Sequence, residues 1–217
     1  YRHIEFTGLA GLSRIILVTW PYNLIATGSH GTYHFERYGD DTEDMLNWLR
    51  VSHPNPDGWA SKLVNGRDTV TEYDRAKLIA EINERVDEAI RDDWAPAGLK
   101  DAVYEQILNS GWLDEEQTAL RMIDEFEHGV THRAECSCGE YADHDDYSAA
   151  VCWNATTHKG RGDKHQARIR QIGGFDFTDV GDWNIRKLNY HYVWTCHAMV
   201  WAAGQYDTAR TTTAVTA

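Results

Sequence analysis

The stretch "RIILVTWPYNLIATGSHGTYHFERY", residues 14 to 38, decides how the chain begins to fold. Branched and aromatic residues fill "RIILVTW", "YNLIAT" and "TYHFERY", and Pro21 or Gly and Ser residues separate them. That composition and punctuation belong to β-strands. The preceding "RHIEF" has the same texture, so residues 1 to 38 are expected to be β. The apolar run from Arg14 to Ala26 is broken by Pro21 and is too short to span a bilayer, so core strands are expected and a membrane partner is not.

Beyond this segment the pattern turns helical. "DDTEDMLNWLRVSH" offers Asp41 or Thr42 as a cap, with Met45, Trp48 and Leu49 on one face. "PNPDGW" and "VNGRD" have turn chemistry, the second suited to a small hairpin. Thr71 and Asp74 then resemble a capping box before Leu78, Ile79, Ile82, Val86 and Ile90, which follow at helical steps. "LKDAVYEQILNS" and "DEEQTALRMIDEFEHG" repeat the pattern, with Gly129 as the expected stop of the latter. From Val130 strands return in "VTHRAEC" and "HQARIRQI", with Gly173–Gly174 expected to end the second. A long helix is expected from Asp182, with a frayed tail at "RTTTAVTA". No internal repeat or low-complexity linker interrupts the chain. The expectation is a single α+β domain over residues 1–217.

Composition narrows the function classes. Of 217 residues, 34 are acidic against 21 Lys plus Arg, a formal charge of −13, which repels a phosphate backbone on average. Nucleic-acid contact is therefore expected only locally, at the basic island of Lys159, Arg161, Lys164, Arg168 and Arg170. Nine tryptophans and eleven tyrosines suit a core, an interaction surface or a ligand-stacking site, and composition does not separate these.

The segment "HRAECSCGEYADHDD", residues 132 to 146, suggests a metal. Cys136 and Cys138 stand two apart, so on an extended chain both point the same way, and Gly139 eases a turn that brings the sulfurs onto one ion. Thiolates are the strongest zinc ligands, and His158, at the end of an expected helix, could complete the grip. Cys152 is a further candidate ligand, although six helical residues separate it from His158. His132, His144 and His165 are alternatives for the fourth position. His132 lies roughly 13 Å from Cys136 on an extended strand and would need a bend. A structural zinc is expected, stabilising residues 130–175, because this acidic stretch has almost no apolar side chains to bury. Clustered cysteines fit a reducing compartment better than a disulfide framework, and no recognisable secretion signal is present; a cytoplasmic or virion-associated setting is expected.

His30, His34 and Glu36 would share one strand face, where imidazole and carboxylate could bind a metal or trade protons. His34-x-Glu36 is similar to the first half of a zinc-deaminase signature, but that signature needs a downstream Pro-Cys-x-x-Cys that the chain lacks. The order His144, Asn154, His158 is similar to that of HNH nucleases, but spacings of ten and four residues leave no room for that family's loop before the asparagine. Tyr190, Trp194, His197 and Trp201 form an aromatic stripe, expected in a core or an interface, with His197 buried. The leading expectation is a zinc-stabilised interaction or assembly protein of intracellular or viral origin, with a protein partner or self-association. The competing one is a metal-dependent hydrolase, with nucleases among its forms, built on an open zinc or on His30, His34 and Glu36.

Overall fold

The structure, a computed structural model, describes residues 1–9, 12–39, 43–136, 141–144 and 167–215, for some of them the backbone alone. The architecture is α+β, and contacts divide it into two compact units, Tyr1–Tyr73 with Arg186–Ala217, and Asp74–Ile185.

The first unit is built on the segment that opened the sequence. Strands β1 (Arg2–Leu9), β2 (Leu12–Trp20), β3 (Asn23–Gly28) and β4 (Gly31–Glu36) form an antiparallel sheet in chain order. Alternation sorts the side chains. Ile4, Ile15, Leu17, Leu24, Ala26 and Phe35 point to one face and are buried. Against that face lie α1 (Met45–Leu49) and α6 (Tyr190–Val215), which contribute Met45, Leu46, Leu49, Tyr192, Cys196 and Met199 to one core. A short helix, α2 (Pro56–Ala60), adds Trp59 and Ala60. Its sequence "PNPDGW" was expected only to turn, but the Asn55 side chain caps the Gly58 N–H at 3.0 Å and Pro56 presets the first helical residue. "VNGRD" does not close a hairpin. Leu63 bridges Phe35 beside β4, and a 3-10 turn, Arg67–Val70, leads into β5 (Thr71–Tyr73).

The second unit follows the helical periodicity. Asp74 caps α3 (Arg75–Arg91) through its carboxylate to the Ala76 N–H, at 2.9 Å, and Leu78, Ile82, Val86 and Ala89 are its buried residues. Thr71 belongs to β5 instead of a capping box. Ile90, expected on the apolar face, is 44% exposed because the 3.6-residue period carries it past the core. The helices α4 (Leu99–Val103), continued by a π turn through Leu108, and α5 (Glu116–Asp124) follow.

Strands β6 (Glu127–Cys136), β7 (Tyr141–His144) and β8 (Ala167–Asp176) form a second antiparallel sheet, ordered β7-β6-β8. Two sequence expectations fail here for one reason. Gly129 does not stop a helix, and Gly173–Gly174 do not end a strand; all three lie inside strands, where the register shifts. From His128 to Thr131 the strand β6 gains a residue on β8, and from Thr131 to His132 the strand β8 regains it, so the two irregularities cancel.

The final helix also starts later than expected. Residues Val180–Asp182 make a 3-10 turn, β9 (Arg186–Leu188) pairs antiparallel with β5, and α6 begins at Tyr190. The Asn189 side chain accepts the Tyr192 N–H at 2.9 Å and takes the capping role assigned to Asp182. The tail expected to fray remains helical to Val215. There the Thr208, Thr211 and Thr212 hydroxyls donate to carbonyls one turn back, at 2.9, 3.0 and 3.0 Å.

Candidate functional site

In the first unit, the turn between β3 and β4 meets the first turn of α6. His30 sits on that turn, its carbonyl accepting the Tyr33 hydroxyl at 2.9 Å. Its Nδ1 lies 2.8 Å from Nδ1 of His191, and the ring centroids are 5.0 Å apart. A centroid separation of this size means that the two nitrogens face each other almost head-on. One must donate and the other accept, so the bond exists only while at least one ring is neutral. Two nitrogens so disposed share a proton; clasping an ion with metal–nitrogen distances of about 2.0–2.1 Å would require them to move apart or turn. The Trp194 ring lies over His30 with centroids 4.2 Å apart, and Tyr190 stands edge-on at 6.3 Å.

His34 and Glu36, expected to join His30, are held elsewhere. His34 Nε2 lies 2.8 Å from Asn23 Oδ1, and its ring is 5.6 Å from that of Trp20. Glu36 accepts a hydrogen bond from the Tyr38 hydroxyl, which holds that phenol above its ordinary range. Among the described residues, no group of three or more His, Cys, Asp or Glu gathers as a metal site would require.

These polar residues border the sheet face turned away from the helices. Strand pairing sets Glu5, Ile16, Thr27 and Thr32 in one row and His3, Val18, Ile25 and His34 in the next. A third row holds Trp20, Asn23 and Glu36. Ile16, Val18, Trp20 and Ile25 are only half-buried, while their inward neighbours are closed off. The borders are tied down: Arg14 Nε pairs with Glu5 at 2.9 Å, and the Thr27 and Thr32 hydroxyls are 2.6 Å apart. The result is an apolar centre within a polar rim.

The aromatic stripe expected on α6 is displaced. Its buried side carries Tyr192, Cys196 and Met199, whereas Tyr190 and His197 are exposed, so His197 is not a core histidine. The Tyr192 hydroxyl donates to the Pro56 carbonyl at 3.1 Å. Burial pushes the Cys196 thiol up to about 12, opposed by a hydrogen bond with Tyr192, so this cysteine is not poised as a nucleophile.

The expected metal ligands Cys138, Cys152 and His158, and the alternative His165, lie outside the described residues, as do Lys159, Arg161 and Lys164 of the basic island. Cys136 is the last residue of β6, and the backbone register sets His132 opposite His144, Arg168 opposite Glu135 and Arg170 opposite Arg133. Sequence reasoning missed the His30–His191 pair. The two residues are 161 positions apart, and no local pattern links a turn histidine to a helix start that far away. No family model, curated protein or solved structure matches the chain.

Proposed function

We propose that this protein works by binding: it is an interaction or assembly protein whose docking surface is the open face of the β1–β4 sheet. One observation carries this reading, the half-buried Ile16, Val18, Trp20 and Ile25 at the centre of a polar-rimmed face. Apolar side chains left partly in water gain free energy when a partner covers them, at about 25 cal/mol per Å2. The face is about 14 Å across, taking a strand spacing of about 4.8 Å, so one partner would cover a few hundred Å2. That is less than the roughly 800 Å2 per side of a stable complex, and the association is therefore transient. A structural zinc held by Cys136, Cys138 and His158, with Cys152 as the further candidate ligand, belongs to the same reading. It would tie down an acid-rich segment that has little to bury.

The first test is self-association, followed by sedimentation over a concentration series for the wild-type chain and for an Ile16→Glu/Val18→Glu variant. Concentration-dependent association that weakens about tenfold or more in the variant, with unchanged circular dichroism, is the expected result. A variant that associates as well as the wild type removes this face from the proposal, and a wild-type chain that remains monomeric removes self-association from it.

A further inference from the structure

The second unit contains a cavity of about 80 Å3 between the C-terminal half of α3 and the end of β8. Its walls are Trp94, Phe175 and Phe177, and its rim carries Glu88, Asp176 and Arg85. We infer that this cavity receives a lysine-type ammonium group, presented by a protein partner, with the aromatic rings around its methylenes and the two carboxylates around its charge.

The walls are preorganised. Trp94 is 49% exposed, yet its ring stacks on buried Phe175 with centroids 5.5 Å apart and planes 18° from parallel. Phe175 in turn meets Phe177 edge-on at 4.8 Å. The backbone holds Trp94 from behind. Asp93 takes a left-handed turn, φ 58°, and the Trp94 and Ala95 N–H groups both donate to the Ala89 carbonyl at 3.2 Å.

The charges select the ligand. Arg85 is already engaged: its Nε and Nη2 donate to Glu81 Oε1 at 3.2 and 3.0 Å, and its guanidinium lies 5.8 Å from the centre of the Trp183 ring. Glu88 and Asp176 have no ion-pair partner among the described residues, and Asp176 accepts only a long contact, 3.4 Å, from the Gln171 amide. Glu88 is exposed and Asp176 half-buried, so both keep their charge at the opening, where they disfavour an anion and add an attraction that only a cation can use. A cation with an apolar stem satisfies both kinds of wall. At about 30 Å3 per water, the cavity has space for two or three waters, about the size of an ammonium with its nearest methylenes. The formal charge of −13 would steer a basic polypeptide toward the protein. The cavity belongs to a different compact unit from the β1–β4 face, so its test stands apart from that of the docking surface.

The experiment uses the full chain and follows the Trp94 indole N–H in 15N spectra, assigned with Trp94→Phe. Capped lysine, a tri-lysine peptide, n-butylammonium and capped norleucine are each titrated. Capped lysine should shift the resonance with millimolar affinity, tri-lysine should bind about tenfold tighter and weaken with salt, and norleucine should have no effect. Glu88→Gln/Asp176→Asn should weaken lysine binding about tenfold with an unchanged spectrum elsewhere. The inference is overturned by an unmoved Trp94 resonance, by norleucine acting as lysine does, or by a double variant that binds like the wild type. Butylammonium binding with no gain from the peptide would assign the cavity to free amines and overturn the partner-borne lysine.

Discussion

Cys196 and Tyr192 lie one turn apart on α6, both turned into the core. Burial raises both groups above their ordinary range, Cys196 to about 12, because neither anion can be solvated there. An unfolded thiol releases its proton near pH 8.5, while the folded one keeps it. The stability tied to this group is therefore whole below about pH 8.5 and is lost as pH rises toward 12. Melting temperatures should fall across that alkaline window, and Cys196→Ala should flatten the fall. An equally steep fall in the variant would show that the thiol is not the group responsible. In the native protein at neutral pH, peptide mapping after alkylation should find Cys196 unmodified, since both burial and protonation protect it. Thiol identity was legible in the sequence; its burial was not, because Cys196 lies on a helix whose apolar residues occupy more than one side.

At the scale of elements, Gly174 shows what sequence punctuation conceals. Its φ is +89°, and a Cβ there would come within 2.3 Å of the Val130 Cα, a backbone atom that cannot swing away. Gly173, its neighbour, has open space where a Cβ would go. Gly174→Ala should therefore cost roughly 2 kcal/mol or more, from both backbone strain and steric conflict, whereas Gly173→Ala should cost well under half of that. Urea titration of the two variants distinguishes them, and equal losses would contradict the bulge geometry. Glycine pairs read as a break because glycine weakens a strand interior, but a bulge needs the same residue to let two backbones approach. The N-terminal strands and the body of α3 were legible, since the periods of two and 3.6 agreed with the elements that form. The cap, by contrast, falls on Asp74 itself and not on a box opened by Thr71. The start of α6 was misplaced because Asp182 and Asn189 are both good caps, and burial of Trp183 and Ile185 keeps the intervening segment out of the helix.

For the whole molecule, the proposed zinc makes a stability prediction. Purified protein should carry about one zinc per chain, and chelation or Cys136→Ser/Cys138→Ser should lower the melt of the second sheet by several kcal/mol. Helical circular dichroism from α6 should survive. Metal-free protein with the same melt would remove zinc from the proposal. Long-range ties of other kinds contribute modestly. Arg50 holds Asp207 through two bonds, 2.7 and 2.8 Å, linking the end of α1 to α6. Both side chains are more than a third exposed, so the pair is worth at most about 1 kcal/mol after solvent screening.

The sequence by itself determined the α+β class, the N-terminal strands, the periodic body of α3 and the acidic balance, because these follow from local periodicity and a sum of charges. Tertiary structure alone decided which side of α6 is core, which glycines are bulges, and that His30 meets His191 or Trp94 meets Phe175. Those outcomes depend on groups far apart in the chain competing for the same space. A local pattern holds no record of which of them wins.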